Sequence, residues 1–322
     1  MSVELPGGTR APTRAGPPPP ADGPPTRRGA RTVLERALRE ASYEVLPLRG
    51  AEESVVEHVP RTVPLTVTVT EAKGLAPTLE LAERLASHGF TATPHLAARL
   101  VRDTAHLADV VARLRAAGVS GVFVVGGDAT EPAGEFPDAL SLLEELEAGG
   151  HHFQQVGIGG YPEGHGHIDP ELIERALERK APHATHVITQ LCFSAATTAA
   201  WARQVRLRGV DLPIRVGLPG AVTRQKLVRI SAGLGLGQSA RFLAKQQSMF
   251  WRFFLPHGYR PKRLVDGLAP TLGRPEHHLQ DFHFFTFNEV ARTEAWRQEW
   301  LARLSDAGTG SGGRGVGDEP TA

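Results

Sequence analysis

The sequence predicts an α/β fold, a (β/α)8 TIM barrel, from three observations. Short runs rich in Val, Ile, Thr and Phe alternate with longer stretches of helical period, eight such runs occur, and 322 residues suffice for one barrel of about 250 residues plus ends. A doubly wound open sheet is the runner-up. The strands are expected at Ser42–Pro47, Leu65–Thr70, Thr91–His95, Gly121–Val125, Gln155–Gly159, His186–Gln190, Ile214–Leu218 and Asp281–Thr286.

Helices are expected at Thr78–Ser87, Thr104–Ala117, Asp138–Ala148, Pro170–Arg179, Thr197–Arg208 and Thr223–Ala232, several opened by the Pro, Asp or Thr that satisfy a helix start. Arg31–Glu40 precedes the first strand and Asn288–Leu304 follows the last; no helix is assigned between the first two strands. The stretch from Pro219 to Gln280 exceeds one crossover, so a helical insertion between strands seven and eight is expected, touching substrate.

The first thirty residues hold eight Pro and five Gly, and six Gly fall between Asp306 and Ala322. Such compositions do not repay their ordering entropy by burial. A disordered arm at 1–30 and a disordered tail at 305–322 are therefore expected around a catalytic barrel at 31–304, with no signal peptide.

Thirty-six basic against thirty-five acidic residues leave a net charge of +1, which gives no basis for nucleic-acid or membrane binding. Cys192 is the only cysteine, so no intrachain disulfide forms, and a reducing, cytoplasmic location is expected.

In a parallel barrel, chemistry gathers where strands run into the following loops. Polar residues crowd those ends: Glu44, Thr70, His95, Asp128 after Gly126 and Gly127, Gly160 to His165, Thr189 with Gln190, and Asp281 to Asn288. An unpaired buried charge or amide costs several kcal/mol, so the set points collectively to a site. Singly each has a plainer reading. Glu44 is equally a partner for Arg49, His95 a loop cap, Asp128 an N-cap, Gln190 a backbone tether, and Asp281 and His283 braces for the last strand.

Other motifs weigh less. Gly233, Gly235 and Gly237 lack the strand-turn-helix setting of a dinucleotide fingerprint. His165 and His167, near Glu163 and Asp169, lack helical zinc spacing, so a pocket-shaping loop is preferred and no metal is expected. His151, His152, His277 and His278 read as solvated loop histidines, and Cys192 as a packed thiol. The aromatic run Phe250 to Phe254 reads as core, or as a surface that stacks on a flat heterocycle.

On Ser42-Tyr43-Glu44, Thr93-Pro94-His95-Leu96, Gly127-Asp128, Gly160-Tyr161-Pro162-Glu163-Gly164-His165, Ile188-Thr189-Gln190 and Asp281-Phe282-His283-Phe284, in that order, the chain resembles methylenetetrahydrofolate reductases. The resemblance implies a TIM barrel that reduces 5,10-methylenetetrahydrofolate to 5-methyltetrahydrofolate with NADH or NADPH. It implies Glu44 as general acid, Asp128 as the acid beside the reacting rings, and Gln190, Phe193 and Tyr161 as folate contacts. Thr70, His95, Gly127, Asp128, Arg179 and Lys180 stand at flavin-contacting positions. No eukaryotic-type regulatory domain is expected after Leu304, and a homo-oligomer is left open.

Departures from the pattern weigh against FAD. Gly126 replaces an Arg, Phe136 a Tyr, and Ile173 and Ala176 an Asp and an Asn. Several lost polar contacts at about 1 kcal/mol each lower affinity by orders of magnitude. Divergent members of the family work without flavin, so direct hydride transfer is an expectation beside the flavin route. Opening the folate imidazolidine ring requires an acid, and apolar neighbours are expected to raise the pKa of Glu44 for that role. A folate-dependent methyl-transfer or demethylation enzyme, and a non-catalytic folate-binding protein, are the competing readings.

Overall fold

The structure, a computed structural model, describes residues 27–166, 168–222 and 261–309. The expected helix Thr223–Ala232, the glycines at 233, 235 and 237, the aromatic run from Phe250, His167, and most of the N-terminal arm and C-terminal tail lie outside the described residues.

Eight parallel strands close into a barrel in sequence order. They are β1 (Ser42–Val45), β2 (Leu65–Val67), β3 (Ala92–Ala97), β4 (Gly121–Val125), β5 (Gln155–Gly160), β6 (His186–Thr189), β7 (Ile214–Pro219) and β8 (Leu279–Phe285). The described helices are α1 (Arg27–Arg39), α2 (Ala51–His58), α3 (Ala76–Ser87), α4 (Thr104–Ala116), α5 (Ala139–Ala148), α6 (Pro170–Lys180), α7 (Ala195–Leu207), α8 (Lys262–Leu268) and α9 (Val290–Thr309). Helix α1 begins four residues before its expected start, and α9 runs on to Thr309, past the expected start of the tail. No described helix is long and apolar enough to cross a membrane.

Sequence signals fix most helix starts. Asp103, Asp138 and Asp169 accept the backbone N–H of His106, Ser141 and Glu171 at 2.7, 2.9 and 2.8 Å, and Ser194 caps α7. Helix α2 was not expected. It follows Gly50 in the left-handed region, carries Glu52 and Glu53 in its first turn, and buries only Ala51 and Val55, too little for a readable period.

Strand residues facing the helices are apolar and buried, among them Val45, Leu65, Val122, Ile158, Val187, Val216 and Phe282. The seam is closed by β8 beside β1, with Ser42 opposite His283 and Glu44 opposite Phe285. A buried polar knot fastens the outer face of β1: the Tyr43 hydroxyl donates to Glu294 at 2.6 Å, and Arg297 donates to both Glu294 oxygens at 2.9 Å and to the Leu38 carbonyl at 3.1 Å. Successive strand residues point to opposite sides, so anchoring Tyr43 outward fixes Glu44 inward.

Candidate active site

A cleft of about 440 Å3 opens over the C-terminal ends of the strands. Glu44 lies on its floor with its side chain 15% exposed, Oε2 standing 3.7 Å from Nε2 of both His95 and His283. Arg49, its expected alternative partner, is exposed.

The expected upward pKa shift of Glu44 is not found. Burial pushes the carboxyl up, but the His283 ring and, after it, His95 more than offset this and hold it below the ordinary carboxylate range. Burial meanwhile drives His95 down to about 4 against the pull of Glu44. His95 is therefore neutral at pH 7, and His283 is the partner that matters there. The His283 Nδ1 lies 2.8 Å from the Ser42 hydroxyl; with that hydroxyl donating, the ring proton sits on Nε2 and faces Glu44. The apolar neighbours of Glu44 in sequence, Tyr43 and Val45, point away from it, which is why they do not set its pKa.

The β8–β1 seam is held by side chains that sequence reading passed over. The Thr286 hydroxyl donates to the Glu44 carbonyl at 2.6 Å. Asn288 pairs both ways with the Leu46 backbone, accepting from N–H at 2.8 Å and donating to the carbonyl at 3.0 Å. Phe287 and Asn288 take φ of 51° and 60°, a strained choice for a bulky aromatic, and Phe287 lines the cleft. The only sequence signal was Asn288 itself, a residue that tolerates the left-handed region.

The opposite wall comes from β4, β5, β6 and α6. Gly127, at φ 92°, lies where a Cβ would come 3.0 Å from that of Ala97. This turn presents Asp128 at the cleft, exposed rather than enclosed. Tyr161 lines the same wall; burial raises its pKa and the charge of Asp128 adds to the rise. Gln190 also lines it, and its Oε1 accepts from the Leu191 N–H at 3.0 Å. Glu163 is turned away to a structural role. One carboxylate oxygen accepts the N–H of Phe193 at 2.6 Å and of Ser194 at 2.8 Å, tying the loop after β5 to the loop after β6.

The cleft thus gathers Glu44, His95, Gly127, Asp128, Tyr161, Gln190, Arg179 and Lys180. Thr70 and Phe193 are not among its lining residues. Thr70 is drawn into a tight turn that bridges to Gly74, and Thr68, two residues earlier, faces the cleft in its place. Burial lowers the Lys180 ammonium to about 8 while Asp138 resists, leaving it mostly charged at neutral pH. Sequence reading also missed Phe285 and Phe287 as cleft residues and treated His283 as a brace.

Other expectations need correction. His152 contacts the Val119 carbonyl at 2.9 Å, His151 accepts from the Phe153 N–H at 3.1 Å, and His278 lies 3.0 Å from Asp211; these half-buried histidines tie loops together instead of standing in solvent. Cys192 is fully buried, its thiol pushed up to about 12 by desolvation, as a packed thiol should be. Among the described residues no group of His, Cys, Asp and Glu is arranged to hold a metal ion.

A closed parallel barrel whose polar groups converge on one C-terminal cleft is the build of a (β/α)8 barrel enzyme. The model of the family described as "Methylenetetrahydrofolate reductase" matches residues 33–232, more than half of the chain, and the chain belongs to that family, a group of folate-metabolising oxidoreductases. The match ends before β8, so His283, Thr286, Phe287 and Asn288 lie outside it. Among solved structures, the chain is similar to a 2,3-dimethylmalate lyase, a PEP mutase/isocitrate lyase superfamily member, in its triclinic crystal form, at 12% identity over 88% of this chain and 89% of that one, TM-score 0.46. It is also similar to a putative phosphonomutase from Burkholderia cenocepacia J2315, at 15% identity over 86% and 97%, TM-score 0.43. Likeness at these values carries no argument about activity.

Proposed function

We propose that this chain reduces 5,10-methylenetetrahydrofolate to 5-methyltetrahydrofolate, with NADH or NADPH as the hydride donor and Glu44 as the acid. The observation that carries the reading is the Glu44 carboxyl on a buried floor, against two histidines, facing a cleft shared with Asp128 and Gln190. The methylene carbon, locked between N5 and N10, accepts hydride poorly until a proton at N10 opens the ring to an N5 iminium cation. Glu44 supplies that proton. A folate ring seated over the floor excludes water and counters the hold of His283, raising the carboxyl towards the pKa that donation requires.

Asp128 stabilises the developing cation across the cleft, an effect that grows as the substrate displaces solvent from its exposed carboxylate. Gln190 offers a donor and an acceptor to the pterin edge and fixes its orientation. Arg179 and Lys180 at the rim suit an anionic group such as a dinucleotide diphosphate or the folate glutamate.

The family generally draws on flavin, but the wall between Asp128 and the rim cations does not fit a resident FAD. Ile173, Ala176, Leu172 and Leu140 line it with aliphatic groups, and Phe136 is buried with no hydroxyl to offer. Direct transfer from the nicotinamide is the route these residues support.

The test is to mix the purified protein with methylenetetrahydrofolate and NADH or NADPH and follow loss of the reduced nicotinamide, after recording its absorption spectrum. A colourless protein that oxidises the nicotinamide only when folate is present is the expected outcome. Absence of turnover with both nicotinamides, with and without added FAD, overturns the reading.

A further inference from the structure

Beneath Glu44 the barrel interior is not apolar. Parallel barrels fill their axis mainly with branched side chains. Here β6, β7 and β8 send in His186, Arg215, Asp281 and His283, and β2 sends in Thr66. The side chains of Asp281 and His283 are 2% and 1% exposed. Asp281 Oδ1 lies 3.7 Å from Arg215 Nε, too far for a hydrogen bond, and has no hydrogen-bond partner among the described residues. His283 Nε2 and Thr66 Oγ1 share that condition.

A glycine makes room for this column. A Cβ at Gly157 would come 2.7 Å from His186 Nε2 and 2.6 Å from the Phe123 ring. His186 lies in the field of both Arg215 and His283. Asp281 and His283 stand two residues apart on one face of β8, about 7 Å along the strand, a gap that one or two interior waters span. Buried polar atoms without protein partners are the sites where such waters are held. Glu40, just before β1, and Arg215 mark the N-terminal end of the barrel as the outlet from Asp281 to solvent.

The chemistry needs such a connection. Reduction of the methylene group consumes one hydride and one proton per product, and the proton leaves Glu44 while substrate covers the C-terminal mouth. Resting on the reductase reading above, we propose that Asp281 and His283 form a proton route, entered from the N-terminal end of the barrel, that reloads the Glu44 carboxyl after each turnover. Asp281 first sends a proton through interior water to the His283 ring, and the imidazolium so formed gives its Nε2 proton to the Glu44 carboxylate as a small side-chain shift closes the 3.7 Å between them. Solvent at the N-terminal end reprotonates Asp281, so one bulk proton is taken up for each folate reduced.

Asp281 suits this role because burial, with Glu40 adding and Arg215 opposing, raises its carboxyl to about 7, where it both holds and releases a proton near neutrality. The charged groups facing it are Arg215 from β7 and Glu40 ahead of β1; those facing Glu44 are His95 and His283, and His283 shares the field of His186. Asp281 never touches substrate and acts only through His283 and Glu44.

The test is the pH profile of kcat in the full chain, with Asp281→Asn and Asp281→Glu, in H2O and D2O. Expected are a fall in wild-type kcat as pH rises through about 7, a roughly tenfold lower kcat without that limb in Asp281→Asn, an unchanged KM for methylenetetrahydrofolate, and recovery of the limb in Asp281→Glu. An Asp281→Asn enzyme with wild-type kcat and pH profile overturns the route. If that variant does not fold, equal wild-type kcat in H2O and D2O overturns it instead. If the wild type reduces no folate, the reductase reading fails separately. The infrared carboxyl band of Asp281, assigned by its shift in Asp281→Glu, then decides: its titration midpoint moves on Glu44→Gln if the two groups are linked, and stays put if they are not.

Discussion

The two sides of the cleft are built differently. The β8–β1 seam is buried and over-determined: Thr286 and Asn288 hold the backbone on both sides of Glu44, Tyr43 is anchored behind it, and two histidines flank its carboxyl. The β4–β6 side is glycine-rich and open, with Asp128 exposed and Ile168 and Leu172 baring 45% and 58% of their surface at the rim. Glu44 is held in a fixed setting, and Asp128 and its neighbours stand on the side open to solvent. Pre-organisation is concentrated on one seam.

Substitutions on the two sides should accordingly fail in different ways. Glu44→Gln is expected to lower kcat by about 10³-fold, the scale of a lost general acid, while folate still binds; calorimetry beside steady-state rates separates the two, and a variant that keeps substantial activity removes Glu44 from the mechanism. Asn288→Ala strips both partners from the Leu46 backbone and should cost about 2 kcal/mol of stability, seen as a lower thermal midpoint together with reduced kcat. An unchanged midpoint would show that the seam is not held as described.

On the open side, Asp128→Asn should reduce kcat about tenfold and leave the melting temperature alone, because an exposed carboxylate contributes little to folding. Equal rates in variant and wild type would cancel its electrostatic role. The remaining prediction concerns pH. The Asp281 carboxyl sits at about 7 when folded against an ordinary 3.8, so between these values the folded chain holds a proton that the unfolded chain releases. Stability therefore falls as pH rises from about 4 to about 7, by at most about 1.4 kcal/mol per pH unit, and Asp281→Asn should flatten that slope in denaturant titrations.

Much of the fold was legible because its signals are local. The β-branched runs, the Asp and Pro helix starts and the order of strands and helices locate every strand, whereas α2 escaped because eight residues with two buried side chains leave no period to read. Glu44, Asp128 and Gln190 were legible as polar residues at strand ends, where a barrel collects its chemistry. Thr70 was placed two residues too far along its strand, and Phe193 was expected in a lining it does not join. Neither error is visible in the chain, since which residue of a loop turns inward depends on backbone already folded.

The amino-acid sequence by itself determined the barrel, its order of elements and the polar character of its mouth, since period, capping and residue type act within a few positions. Tertiary structure alone decided the electrostatics of Glu44. His283 reaches Glu44 only because β8 closes onto β1, and that contact, together with His95, outweighs the upward push of burial and holds the Glu44 carboxyl below the ordinary range. Charges interact through space at a few ångströms, and no reading along the chain shows which distant residues ring closure will bring that near.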